Sequence, residues 1–188
     1  MADKKPACSF TGHRAAKLPW GFHEQDPRCV QLKQQIYDAI DAIYDSGVRH
    51  YICGMANGCD MYFGEAVLEL KKVKKDVTLE AAVPFTGQAD HWKEPEKSRW
   101  QNIYNNSDYI TVVSKSYTKD CMNKRNRYMV DNSSLLIAAV ATREGGSAYT
   151  VDYAKSKGID IKTVNLKALK KELGLKNKEL PDQTSIKF

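Results

Sequence analysis

The sequence predicts an α/β fold, namely a Rossmann-like three-layer sandwich in which helices flank a mainly parallel sheet. Strand-like and helix-like segments alternate along the chain, which is typical of βαβ units joined by right-handed crossovers. Polar or glycine-containing turns follow strand-like segments at residues 11–14, 54–60 and 144–150. Because ligands of parallel sheets bind at the carboxyl ends of the strands, both observations favour this fold class.

The expected strands are short apolar runs that end at turn residues. The first run covers residues 7–10, and the run at residues 77–83 is stopped by Pro84. In chain order, strands are expected at residues 7–10, 48–53, 77–83, 109–113, 135–141 and 159–164.

The expected helices combine apolar residues at helical spacing with suitable terminal residues. Asp26 and Pro27 begin the first helix, since proline is favoured at the first helical position, and Ser46-Gly47 ends it. The segment 88–106 is polar, and only its later half is expected to be helical. Further helices are expected at residues 60–73, 123–131, 147–157 and 166–173, before a polar tail at 176–188.

The composition is that of a single domain over residues 1–188, with a core at about 6–165. No apolar run approaches the ~18 residues that span a bilayer, and the five cysteines form no CxxC pair. These features favour a cytoplasmic protein without a membrane partner, a metal site or disulfides. The net charge of +6 is borderline for nucleic-acid binding, so nucleic acid is only a minor alternative partner.

The most informative stretch is Glu144-Gly145-Gly146-Ser147, between an apolar run and a helix-like segment. Two glycines let the backbone approach a ligand that any Cβ would block. The free N–H groups and positive dipole end of the following helix attract a phosphate or a carboxylate. This stretch therefore predicts an anion site.

Two other turns are expected at the same edge of the sheet. Gly12-His13-Arg14 offers a turn glycine, an imidazole and a guanidinium, and arginine suits phosphate because it donates two parallel hydrogen bonds. In the second turn, Asp60 has two interpretations: it caps the next helix, which the spacing slightly favours, or it accepts ribose hydroxyls. The candidates in this second turn are Gly54, Asn57, Gly58 and Asp60.

Further candidates come from elsewhere in the chain. Phe85 follows the third strand, and Arg125 lies on a helix from which it could reach a phosphate. Trp100 could stack on a base, although packing of its helix onto the sheet is the commoner role of such a residue. Glu144 and Asp152 are candidate acids for a hydrolytic reaction, but no motif pairs them.

The set of motifs resembles the YpsA-like family of the SLOG superfamily, which is named for the DprA/SMF and LOG proteins. The resemblance covers about residues 6–165 and implies a Rossmann-like domain with a pocket suited to nucleotides or nucleotide-derived molecules. It rests on Thr11-Gly12-His13-Arg14, Gly58-Cys59-Asp60, Val83-Pro84-Phe85, residues 124–131 and Gly145-Gly146 with Tyr149-Thr150-Val151.

Two groups of relatives give contrasting expectations. LOG proteins are phosphoribohydrolases with the signature Pro-Gly-Gly-x-Gly-Thr-x-x-Glu. On that signature, Glu144 stands at the proline, the bulky Tyr149 at the threonine and the shorter carboxylate of Asp152 at the glutamate, and these departures weigh against hydrolase activity. DprA-type relatives bind single-stranded DNA.

The leading expectation is the binding or sensing of a nucleotide or an ADP-ribose-like ligand, with no required cofactor. The glycine pair and Ser147 would hold a phosphate, and Arg14 and Arg125 would neutralise it. Asp60 would meet the ribose. The alternatives are a nucleotide N-glycoside hydrolase and, less favoured, single-strand binding; a homo-oligomer is possible.

Overall fold

A computed structural model of the chain describes residues 6–141, 144–164 and 166. Among these residues, six segments are strands: β1 (Ala7–Gly12), β2 (His50–Cys53), β3 (Thr78–Val83), β4 (Tyr109–Val112), β5 (Leu135–Ala139) and β6 (Asp160–Thr163). They form one sheet in the order β4-β3-β2-β1-β5-β6, and every pairing is parallel.

The described helices alternate with these strands. They are α1 (Pro27–Asp45), α2 (Cys59–Val73), α3 (Glu96–Asn106), α4 (Cys121–Asp131) and α5 (Gly146–Ser156), with a short 3₁₀ turn at Ala15–Lys17. This arrangement confirms the predicted α/β, Rossmann-like class.

Helices cover both faces of the sheet, as the alternation of β5 side chains illustrates. Ile137 packs in the large core that α1, α2 and α3 share with the sheet. Its neighbour Leu136 points to the other face and packs with Val130 of α4 and Val151 of α5. The sheet is therefore the middle layer of three.

The strand order reverses direction at β1. The chain adds β2, β3 and β4 outward on one side of β1 and then returns to place β5 on its other side, so that Ser9 pairs with both Ile52 and Leu136. The gap between the carboxyl ends of β1 and β5 is thus the topological switch point, where open α/β sheets bind ligands.

The differences from the predicted elements lie mainly at their ends. The fifth strand stops at Ala139, and α4 begins at Cys121, two residues before the predicted start. The 3₁₀ turn at Ala15–Lys17 was not predicted. The expected helix at 166–173 and the tail at 176–188 lie outside the described residues, apart from Leu166. No described helix combines the length and apolar character needed to cross a membrane.

A buried carboxylate lies on the sheet face next to α4. Glu80 of β3 accepts hydrogen bonds from Tyr128 (2.6 Å) and Thr111 (2.8 Å) at Oε1, and its Oε2 lies 2.9 Å from Nε2 of His50. Burial alone would raise the pKa of Glu80, but these three hydrogen bonds outweigh it and hold the pKa below its ordinary value.

Replacing Glu80 with glutamine is expected to flatten the pH dependence of stability. A carboxyl whose folded pKa is depressed stabilises the fold fully above its unfolded pKa of about 4.3, and this is lost as pH falls through the lower folded pKa. Urea unfolding at pH 7 and at pH 3.5 should show a smaller loss of stability in Glu80→Gln than in the parent chain. Glu69→Gln, at a largely exposed carboxylate paired with Lys72, should behave like the parent; equal losses in all three proteins would contradict the assignment.

Candidate functional site

A polar cavity of about 220 Å³ lies at the switch point between β1 and β5. The turn after β1 forms one wall, α4 another, and the start of α5 a third. The lining residues are Phe10, Thr11, Gly12, His13, Arg14, Lys17, Ala56, Asp60, Met122, Asn123, Arg125, Asn126, Glu144, Gly146 and Ser147.

Two glycines bring the turns after β1 and β2 into close contact. Gly58 has a φ of 87°, and a Cβ there would stand 2.7 Å from the carbonyl oxygen of His13. A Cβ on Gly12 would stand 2.5 Å from Cβ of Cys59. With both side chains absent, the backbone N–H of Cys59 donates to the His13 carbonyl at 3.0 Å. The first turn of α2 is thus joined to the cavity wall.

The imidazole of His13 joins the same turn to the chain that follows β5. Its Nε2 lies 2.8 Å from the backbone N of Ala141 and accepts that N–H. Only a ring nitrogen without a proton can accept, so this hydrogen bond requires the neutral imidazole with its proton on Nδ1. Burial, aided by the charge of Lys17, lowers the pKa of His13 and so favours the neutral form.

The amino end of α5 faces the cavity. Gly145 precedes the helix with a φ of 87°, and Ser147 donates its hydroxyl to the carbonyl of Gly12 at 2.6 Å. The first N–H groups of an α-helix have no acceptor within the helix and carry its positive dipole end. Glu144 lies just before this helix, at the exposed rim of the cavity.

A buried ion pair lies on the opposite wall. The guanidinium of Arg125 approaches Asp60 at 3.5 Å, with side chains 6% and 8% exposed, and its Nε donates to Asn126 at 2.8 Å. Burial raises the pKa of Asp60 and lowers that of Arg125, and each partner opposes the shift of the other. Gly54 makes room for the pair, because a Cβ there would stand 2.6 Å from Oδ2 of Asp60 and closer still to Arg125.

The position of Asp60 in α2 excludes one of its two interpretations from the sequence, the capping of that helix. The N-cap of α2 is Gly58, and Asp60 lies inside the first turn of the helix. Its Oδ2 accepts from the backbone N–H of Ala56 at 3.2 Å. The expected capping role is therefore wrong: Asp60 braces the loop before the helix and pairs with Arg125.

The mouth of the cavity carries two exposed cations. Arg14 stands at the start of the 3₁₀ turn and Lys17 at its end. The Nζ of Lys17 reaches the glycine pair, at 3.1 Å from the point where a Cβ on Gly145 would stand. Arg125 is paired with Asp60, and Glu144 also lines the cavity, so the positive charge that would attract anions comes from Arg14 and Lys17 at the mouth.

The structure brings most of the predicted site residues to this cavity. Those in its lining are Gly12, His13, Arg14, Asp60, Arg125, Glu144, Gly146 and Ser147. Three glycines shape its walls without lining it, namely Gly54, Gly58 and Gly145.

Four predicted residues lie outside the lining. Asn57 is half-buried in the loop before α2, and Asp152 is exposed on α5. Phe85 meets Tyr117 edge-to-face at 5.4 Å. Trp100 stacks on Tyr104 at 4.8 Å and donates to Gln88 at 3.4 Å. Trp100 therefore packs its own helix, as the alternative interpretation expected.

Sequence reasoning missed several lining residues, chiefly Lys17, Asn123 and Asn126. Lys17 follows Arg14 by three residues, the spacing at which a 3₁₀ turn aligns side chains. That spacing was an available signal. Asn126 donates to the carbonyl of Gly146 at 3.4 Å and accepts from Arg125, which links α4 to α5; only the tertiary fold reveals this role.

Comparison with known proteins identifies a family and several bacterial relatives. The family model described as the YspA SLOG family matches residues 8–169. UPF0398 protein YpsA of Bacillus subtilis (strain 168) is 24% identical over 153 residues, which is 79% of this chain and 84% of that protein. UPF0398 protein BH1768 of Halalkalibacterium halodurans is likewise 24% identical over 153 residues, covering 79% and 80%.

A solved structure supports the fold. DNA processing protein A (DprA) from Streptococcus pneumoniae aligns with a TM-score of 0.59 at 17% sequence identity. The alignment covers 92% of this chain but only 58% of that chain. At this identity the likeness concerns the fold alone.

Proposed function

This chain belongs to the YspA SLOG family, and from that premise we propose that its cavity binds a nucleotide or a nucleotide-derived molecule such as ADP-ribose. The observation that carries the proposal is the convergence of the α5 amino end and three cationic side chains on one polar cavity at the switch point. Binding or sensing of such a ligand is the function that this geometry supports best.

The anion would lie at the start of α5. The N–H groups there offer donors, and helix amino ends bind phosphate readily; the hydroxyl of Ser147 already donates to the Gly12 carbonyl and supports this turn from below. Arg14 and Lys17 approach from the mouth and supply charge from solvent. Hydrogen bonds to charged groups are each worth about 1.5–3 kcal/mol, so several of them are needed to offset the freedom that a ligand loses on binding.

The sugar would lie toward the opposite wall. Asp60 uses Oδ2 for Ala56 and Arg125, which leaves Oδ1 for a ligand hydroxyl. The amides of Asn123 and Asn126 add further donors and acceptors to the lining. This set suits a ribose, whose hydroxyls need both kinds of partner.

Hydrolysis of an N-glycosidic bond is the second candidate, and one observation favours it. Glu144 lies at the rim of the cavity, where a carboxylate could assist departure of a base. Asp152, the other candidate acid, is exposed outside the lining. Chromatography of AMP incubated with the protein tests this directly: release of free adenine, lost in Glu144→Gln, would make the protein an enzyme.

Charge reversal at the mouth is expected to weaken ADP-ribose and AMP binding by about 10-fold to 100-fold, since each variant removes a charge-assisted contact and adds repulsion. Arg14→Glu and Lys17→Glu should show this by calorimetry without losing thermal stability. The matched control is Lys75→Glu, an exposed lysine after α2 and outside the cavity lining, which should bind as the parent does.

Other outcomes of the same titration would overturn the proposal. If Arg14→Glu, Lys17→Glu and Lys75→Glu weakened ligand binding equally, the effect would come from the net charge of the chain and not from this cavity. A ligand at about 100 times its Kd should stabilise the folded protein by about 2.7 kcal/mol. If neither AMP nor ADP-ribose binds the parent protein, the proposal is wrong. Single-stranded DNA binding that falls steeply with salt would instead favour the nucleic-acid alternative.

A further inference from the structure

The size of the cavity limits how much of a nucleotide it encloses. Pockets that bury most of a drug-sized ligand usually measure about 300–1,000 Å³, and this cavity measures about 220 Å³. The phosphate donors and the hydroxyl partners already occupy its two walls. A phosphate and a pentose would fill the space between them, so a base would lie at the rim or beyond it.

The lining chemistry agrees with this limit. Between the start of α5 and the Asp60–Arg125 pair, the cavity presents the side chains of Asn123, Asn126 and Ser147. Amides and hydroxyls both donate and accept, which matches sugar hydroxyls and phosphate oxygens. The apolar residues of the lining are Phe10, Ala56 and Met122, and the one aromatic ring among them is buried.

The aromatic residues that could supply such a surface already have partners elsewhere. Phe10 touches the cavity but is only 1% exposed and stacks on Phe63 at 4.7 Å. Trp100 is stacked on Tyr104, on the helix α3. A base stacked on an aromatic side chain gains roughly 5-fold to 150-fold in affinity, and nothing in the described lining provides that gain.

We infer that this site recognises the phosphorylated pentose of its ligand and not the base. The inference rests on the proposed function and narrows it to a substrate class: 5-phosphorylated ribose, free or as part of a nucleotide. Ligands that share this moiety should compete for the cavity whatever group they carry at C1 of the sugar.

A titration panel tests this on the full chain. Calorimetry with AMP, GMP, CMP, UMP and ribose 5-phosphate should give dissociation constants within about 5-fold of one another, whereas adenosine should bind at least about 100-fold more weakly because it lacks the anion. The inference would be overturned if ribose 5-phosphate bound more than about 30-fold more weakly than AMP, or if one nucleotide bound more tightly than the others by that factor. Either result would leave the proposed function intact. If no phosphate compound binds, the proposed function fails, and this inference with it.

Two variants add a second test, the ratio of the affinities for AMP and for ribose 5-phosphate, which a general loss of stability would leave unchanged. Asn123→Ala should weaken AMP and ribose 5-phosphate by the same factor, because Asn123 lines the cavity where the shared moiety lies. Trp100→Phe should leave both affinities unchanged. A selective loss of AMP binding in Trp100→Phe would show that the base reaches this ring, which contradicts the inference.

Discussion

Replacing Gly58 with alanine should destabilise the protein by about 3 kcal/mol and abolish ligand binding at the cavity. The φ of 87° is a conformation that L side chains rarely adopt, and the new methyl would press on the carbonyl of His13 and on the backbone N of Ala15. Backbone atoms cannot rotate away as a flexible side chain does, so the turns after β1 and β2 would have to separate. Urea unfolding gives the stability, and calorimetry with ADP-ribose gives the binding.

Gly21→Ala is the matched control for this effect. Gly21 also has a positive φ, 55°, but a Cβ there meets nothing within 4 Å. The Gly21→Ala variant should lose only about 1–2 kcal/mol of stability, the conformational penalty of a positive φ, and should bind the ligand as tightly as the parent protein. Similar losses of stability in the two variants would show that the close approach of the turns at Gly58 has no energetic weight.

The second large effect is expected at the buried ion pair. Arg125→Met should destabilise the chain by about 3–5 kcal/mol, because it leaves the carboxylate of Asp60 buried without its cation. Asp60→Asn combined with Arg125→Met should recover part of that loss, by about 1–3 kcal/mol relative to the sum of the single changes. Chemical denaturation of the four proteins completes the cycle.

Lys72→Met provides the comparison for a pair in water. Lys72 contacts Glu69 at 2.6 Å, but the two side chains are 67% and 59% exposed, so the loss should stay within about 1 kcal/mol. An Arg125→Met variant as stable as Lys72→Met would show that solvent reaches the Asp60–Arg125 pair and that burial does not govern it.

The sequence was most informative where local chemistry alone determines structure. Strand and helix alternation fixed the class of fold, and the glycine turns indicated the edge at which the cavity lies. Gly146 and Ser147 could be anticipated because a glycine pair before a helix has few other uses. Their surroundings follow from the parallel topology, which brings the turns after β1 and β5 together.

Other roles depend on packing across the fold. Whether Trp100 meets a ligand or Tyr104 is decided by the way α3 lies on the sheet, and no local pattern encodes that choice. The spacing of Asp60 slightly favoured a helix-capping role, which is wrong. Its partner Arg125 lies 65 residues further along the chain, so local spacing could not reveal the ion pair. Lys17 escaped notice because its one available signal, the three-residue spacing from Arg14, is indicative only once a 3₁₀ turn is expected there.

The cations of the cavity differ in their access to water, and this has a kinetic consequence. Arg14 and Lys17 are exposed at the mouth, whereas Arg125 is 5% exposed at the wall. Mobile ions screen exposed charges over about 10 Å at 0.1 M ionic strength and screen buried ones much less. Added salt should therefore lower the association rate constant of an anionic ligand far more than it raises the dissociation rate constant. Stopped-flow measurements would give the two rate constants separately.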